Sequence, residues 1–284
     1  MTGERRGVLA IAGAALLWST GGVGIKLIAA PPLKVACYRS ALAALTLLAI
    51  FRPRLGHRSP TFFAATVCYG ACLTTFVTAT KWTTAANAIF LQYSGVVWVI
   101  LLAPLVVGEA YRARDTIAIL VALAGMALFF VGKLDAGGRA GDGVALLSGV
   151  FFAGIILLVR RERGEVAEAS VVWGNVLTAI VLLPFVARDP GLDARSAAIL
   201  VFLGTVQLAG AYVLFLYGVR HVRATQASLV GMLEPVANPV WVFLALGEVP
   251  SGFAMIGAAV VLAAIGWRTL AVETAPALEL PAPD

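Results

Sequence analysis

Charge is scarce in this chain: Asp, Glu, Lys and Arg make up only 13% of its 284 residues. A soluble domain carries about 25%. With 61% of residues hydrophobic and a mean hydropathy of +0.94, the composition excludes an ordinary soluble domain and indicates an integral membrane protein. Histidine is nearly missing, and His57 and His221 both fall in loops between apolar runs. No HExxH, GxSxG or Cys/His pair occurs, so the usual metal-assisted and nucleophilic chemistries have no residues to use, and the chain reads as no enzyme. The phosphate-cradling GxxxxGK[ST] is absent too, so ATP does not drive it directly. The three cysteines, Cys37, Cys68 and Cys72, lie in apolar segments without metal or disulfide spacing and read as small fillers. No metal or other cofactor is implied.

What is present is apolar length. Runs long enough to cross a bilayer cover about 7–29, 35–51, 61–80, 84–107, 114–132, 143–159, 169–187, 196–218, 224–248 and 250–270. The first continues beyond a signal-peptide core and contains Lys26, so it reads as an uncleaved span. The Pro/Ala-rich tail, 273–284, reads as disordered. The net charge is +6, but the basic residues cluster in short loops, which points to topology rather than to nucleic acid. With the N-terminus in the cytoplasm, thirteen of the 21 Lys and Arg fall on the cytoplasmic side. The positive-inside rule then places both termini inside. All four lysines fall on the other side.

An internal repeat organises the ten runs. Shifted by 139, Ala85-Ala86-Asn87-Ala88 falls on Ala224-Thr225-Gln226-Ala227, and Gly108-Glu109 on Gly247-Glu248. Shifted by about 136, Gly7-Val8-Leu9 falls on Gly143-Val144-Ala145. The halves are 1–135 and 136–272, each with five spans. Five is odd, so the second half enters the membrane from the opposite side. That is the inverted repeat of secondary transporters, with the substrate site near the midplane between the halves. The expected architecture is an all-α bundle of ten transmembrane helices in a 5+5 inverted repeat.

These residues resemble those of the EamA-type transporters of the drug/metabolite transporter superfamily. The matching stretches are Leu16-Leu17-Trp18-Ser19, Tyr38-Arg39-Ser40-Ala41, Ala85-Ala86-Asn87-Ala88 through Leu91-Gln92-Tyr93-Ser94 to Gly108-Glu109, and Leu233-Glu234-Pro235-Val236 through Gly247-Glu248. The resemblance implies a ten-helix inverted repeat that exports small metabolites, and is nearest to the exporters of amino acids, aromatic ones included. The substrate and the lipid bilayer are the implied partners, and a monomer suffices. The alternatives are an exporter of lipophilic or cationic drugs in the same fold and, from another class, a non-transporting subunit or channel. The family often has Ser-Pro in span four where this chain has Ser94-Gly95, so a milder kink, or one at Pro104, is expected.

The candidate cavity residues follow from polarity at depth. Glu234 is the acid placed deep in a span, next to Pro235 and before Asn238 and Pro239. It fits a site for substrate ammonium or a coupling proton, or a structural acid that satisfies backbone freed by the prolines. On a helix, Glu234, Asn238 and Trp241 share a face. Span four contributes Gln92, with Asn87, Ser94 and Trp98 as a neighbouring stripe. Trp18 and Ser19 precede two glycines that serve as lining, hinge or close packing. Gln207, Tyr212, Tyr69 and Thr78 are further lining candidates. Arg39 reads as snorkelling to the outer surface, Tyr93 as an interfacial aromatic, and Glu109 and Glu248 as boundary residues. Ala145, Gly149 and Ala153 form a small-residue stripe suited to tight packing.

Overall fold

The computed structural model describes residues 3–53, 56, 59–110, 112–128, 138–162, 164–188, 191–246 and 252–270, and among them every regular element is helical. In the first half these are α1 (Gly3–Trp18), α2 (Gly21–Leu27), α3 (Pro32–Phe51), α4 (Pro60–Trp82), α5 (Ala85–Gln92), α6 (Gly95–Val106) and α7 (Ala113–Leu128). In the second they are α8 (Arg139–Glu162), α9 (Gly164–Val186), α10 (Ala194–Phe202), a π-helical turn (Leu203–Gly210), α11 (Ala211–Val219), α12 (Ala224–Gly231), α13 (Leu233–Leu246) and α14 (Gly252–Leu270). Seven helical segments among the described residues are long and apolar enough to cross a membrane. Gly247-Glu248, the tail 273–284 and residues 129–137 after α7 lie outside the described residues.

The local chemistry accounts for the boundaries. Ser59 accepts the N–H of Phe62 and, with Pro60 behind it, starts α4. Thr84 accepts the N–H of Asn87 and starts α5, and Asp193 does the same for α10. At the other helix ends, Lys26 Nζ donates to Thr83 O at 2.7 Å and Lys81 Nζ to Ile28 O at 2.5 Å. Each ammonium thus caps free carbonyls, where the helix dipole favours a cation. That explains two of the lysines gathered at this end of the bundle. We call it the lysine end, and the end where α1 begins the arginine end.

Packing follows the repeat. α4 lies along α8 as α11 lies along α1, and α4 meets α9 as the π turn meets α3. The pairs α3–α9 and α7–α14 map onto themselves. Exchanging the halves leaves the arrangement unchanged, so the core forms where they interleave. At the perimeter, large side chains such as Leu105, Phe185 and Leu244 are exposed, as expected of a lipid-facing surface.

Three spans are broken at mid-height. α1 gives way to α2 at Ser19-Thr20, α5 to α6 at Tyr93-Ser94, and α12 to α13 at Met232. α5 and α12 are each eight residues long and start 139 residues apart, the shift read from the sequence. The expected use of Pro104 is not what happens: that proline is carried inside α6, and the break comes ten residues earlier. Its cause is close packing rather than proline. A Cβ on Gly95 would stand 2.3 Å from Gly149 O, so α6 rests on the backbone of α8 at the small-residue stripe. Pro235 lies in the first turn of α13, where its missing N–H costs nothing.

Candidate functional site

Broken helices leave end carbonyls without intrahelical partners. Here side chains from the opposite half cap them. Gln207 Nε2 donates to Trp18 O, the last carbonyl of α1, at 3.1 Å. The Tyr93 hydroxyl reaches Gly231 O, the last carbonyl of α12, at 2.5 Å. The two breaks are thereby joined across the repeat. Gln207 stands on the wall of a cavity of about 40 Å³, and Tyr93 bonds Glu234 on the same wall.

Trp18, Arg39, Cys72, Leu73, Phe76, Gln92, Phe152, Gln207, Leu208, Tyr212 and Glu234 line that cavity, so both halves contribute. One water takes roughly 10–15 Å³ of such space, so the volume admits about three. Aromatic rings form one wall: Trp18 and Tyr212 are 5.1 Å apart between centroids, and Tyr212 and Tyr69 4.8 Å. Polar groups form the other. Arg39 Nη2 donates to Gln207 Oε1 at 2.7 Å. Gln92 Nε2 donates to Ser148 Oγ at 2.8 Å. Glu234 Oε2 lies 3.0 Å from the Tyr93 hydroxyl. A phenol has one hydrogen. The Gly231 carbonyl and Glu234 Oε2 share it as acceptors.

The eleven positions singled out by sequence take different places. Trp18, Gln92, Gln207, Tyr212 and Glu234 stand on the cavity wall. Ser19 is buried next to it, donating to Leu16 O and accepting from Trp241 Nε1 at 2.7 Å, which ties α13 to the break in span one. Asn238 is buried against Gly22, with Nδ2 unpartnered. Asn87 Nδ2 bonds Thr83 near the lysine end, and Thr78 bonds the backbone at Thr74. Trp98 faces outward, 44% exposed. A stripe through Asn87, Ser94 and Trp98 presumes one continuous helix. The break at Tyr93-Ser94 changes the phase, so Trp98 leaves the inner face.

Two sequence readings are corrected. Arg39 does not snorkel; it is 3% exposed and stands on the cavity wall. Tyr93 is not interfacial; it is fully buried and bonded to Glu234. A cation inside an apolar run was the available signal for Arg39. The π turn that carries Gln207 had no signal beyond Gly204 and Gly210 at its ends, yet such turns concentrate at functional sites.

A second polar cluster closes the arginine end. Glu109 faces Arg160 at 3.0 Å and Arg223 at 3.9 Å, and accepts the N–H of Ala224 at 3.0 Å. Asp115 bonds Arg268, accepts from Thr225 at 3.1 Å and faces Arg223 at 3.7 Å. Glu109 is therefore more than a boundary residue, because it caps α12. Among the described residues no group of His, Cys, Asp and Glu is arranged to hold a metal.

The sequence model of the EamA-like transporter family matches residues 5–131 and again 139–268. The chain belongs to that family. The double match coincides with the two interleaved halves, and the family assignment makes this a multi-pass membrane transporter. Relatives named as transporters support this. An uncharacterized transporter of Archaeoglobus fulgidus is 26% identical over 93% of this chain and 97% of its own length. The uncharacterized transporter YwfM of Bacillus subtilis is 28% identical over 93% of this chain and 92% of its own. A solved crystal structure 18% identical to the chain superposes with a TM-score of 0.80, over 96% of this chain and 100% of the other, and shows the shared fold.

Proposed function

We propose that the protein exports small amphiphilic metabolites, amino acids with aromatic or other apolar side chains, by alternating access across the bacterial inner membrane. The observation that carries this is the mid-height cavity, walled by both halves at the level where three spans break. Discontinuous helices around a central site are how such transporters expose polar backbone to a ligand. Aromatic walls suit an apolar side chain, and Glu234 suits the substrate ammonium or a coupling proton. In this reading ten helices span the membrane as a 5+5 inverted repeat, 1–135 and 136–272, with both termini cytoplasmic. α7, α12 with α13, and α14 complete the seven longer spans. The arginine end is then the cytoplasmic one, closed here by its ion pairs. The protein works as a monomer, and the halves rock about the cavity.

The test is flux in proteoliposomes with a substrate panel, with and without a pH gradient. Saturable flux with competition by amino acids is expected, and Glu234→Gln should lose most of it. Competition by lipophilic cations alone would move the reading to drug export. Near-normal flux in a folded Glu234→Gln protein would make that acid structural.

A further inference from the structure

Arg39 is a buried guanidinium that forms no ion pair among the described residues. It stands on the cavity wall, yet no ion pair joins it to a described carboxylate. Its one bond is from Nη2 to Gln207, and Nε and Nη1 have no partner. A buried charge left this way is unfavourable. Arginines that serve structure in this protein use their forks differently: Arg160 donates to Glu109 and to Val219 O, and Arg161 to Val106 O.

The fork itself says what is missing. A guanidinium has two hydrogen-bearing edges, one shared by Nε and Nη2, the other by the two Nη atoms. Gln207 occupies one of the two Nη2 hydrogens. Whichever it takes, the other edge keeps both of its hydrogens. A two-hydrogen edge is the shape that a carboxylate accepts with both oxygens. Gln207 is fixed from behind by its bond to Trp18 O, so it turns its oxygen to Arg39 and orients the fork. Gly21 makes the close approach possible, since a Cβ there would stand 2.5 Å from Gln207 Nε2. Glu234 lies on the same wall, but its hydrogen bond is to Tyr93 and no ion pair joins it to Arg39 among the described residues.

We propose that Arg39 holds the carboxylate of the transported molecule, its free edge closing on both oxygens when the cavity widens. The proposal rests on reading this cavity as the transport site and narrows its substrates to carboxylates with an apolar or aromatic body. Where the substrate also carries an ammonium, that group faces Glu234. Widening is required because Nε and Nη1 are closed to solvent here and the cavity, about 40 Å³, is too small for an amino acid.

Three probes with a common phenyl body separate the possibilities: L-phenylalanine, 3-phenylpropionate, which lacks the ammonium, and phenethylamine, which lacks the carboxylate. Binding is measured by calorimetry on the purified full chain in detergent. The wild-type protein should bind the first two. Arg39→Lys should weaken both roughly 10–100-fold, the worth of a charge-assisted bidentate bond, and leave phenethylamine unchanged. Gln207→Glu is the second variant. It supplies Arg39 with a carboxylate of its own, so the protein should melt at a higher temperature while losing both carboxylate probes and not the amine. A bracing arginine would shift all three probes alike in both variants, and that result overturns the proposal. Binding of phenethylamine alone overturns it as well and leaves the cavity reading standing. Binding of phenylpropionate without phenylalanine upholds Arg39 and overturns the amino-acid reading. Binding of none of the three overturns both.

Discussion

Two clusters of charge sit in one bundle and are built in opposite ways. At the arginine end Glu109 and Asp115 each face two arginines and accept a further hydrogen bond, Glu109 from Ala224 N–H and Asp115 from the Thr225 hydroxyl. These contacts join helices of the two halves. At mid-height, among the described residues, Arg39 has its hydrogen bond with Gln207 and Glu234 with Tyr93, and neither is in an ion pair. What holds the centre is shape: Gly95 against Gly149, Gly21 against Gln207, and rings against rings. A charge already satisfied by its neighbours has nothing to offer a ligand. The end is therefore fit to lock the halves together, and the centre to receive something between them.

The comparison breaks most easily at Asp115. Asp115→Asn keeps the size and removes the charge, leaving Arg268, 3% exposed, without its counter-ion. Removing one member of a buried pair costs about 3–5 kcal/mol. For a domain of ordinary size that is a fall in melting temperature on the order of 10 °C, readable by differential scanning fluorimetry in detergent. A fall under about 3 °C would mean that charge does not hold this end.

Gly95→Ala asks the same of the centre. The added methyl would meet Gly149 O at 2.3 Å, and a backbone atom cannot swing aside. α6 must then lift off α8, straining the Gln92–Ser148 bond at the break. Overpacking of this kind costs about 1–3 kcal/mol. Stability and phenylalanine binding should fall together, while Gly143→Ala, whose Cβ meets nothing within 4 Å, should leave both as they were. A stable Gly95→Ala protein with intact binding would show that the centre does not depend on this contact.

Much of this frame was legible in the residues, and the reason is periodic. Apolar length located the helices to within a few residues, and the 139-residue shift paired the stretches 85–109 and 224–248, whose first parts are α5 and α12. Side-chain direction was legible only where the helix continued. Glu234 and Asn238 share the buried face of α13, as the spacing predicts, because both follow the break at Met232. Trp98 was misplaced because a break intervened that no proline marked. Arg39 and Tyr93 were misjudged for a different reason. Alone, a cation near a span end snorkels and a lone phenol is read as an interfacial aromatic, and only partners distant in sequence, Gln207 and Glu234, change that reading. Those partners come from the other half, and the sequence of one half carries no sign of which residue it will meet.

The smallest expected effect is on stability at Arg39, and it is the sharpest test of the contrast. Arg39→Met keeps an unbranched side chain of similar length and removes the charge. It gives up the bond to Gln207 and leaves Oε1 without that donor, a loss of about 1–3 kcal/mol. It also removes a buried charge that is in no ion pair among the described residues, and replacing buried charge by apolar volume is often neutral or stabilising. The two terms oppose each other, so the melting temperature of the ligand-free protein should move by only a few degrees in either direction, against the large fall at Asp115. Carboxylate binding should nevertheless disappear. If Arg39→Met instead unfolds the protein as readily as Asp115→Asn does, the guanidinium is a brace, and the two clusters differ in position but not in kind.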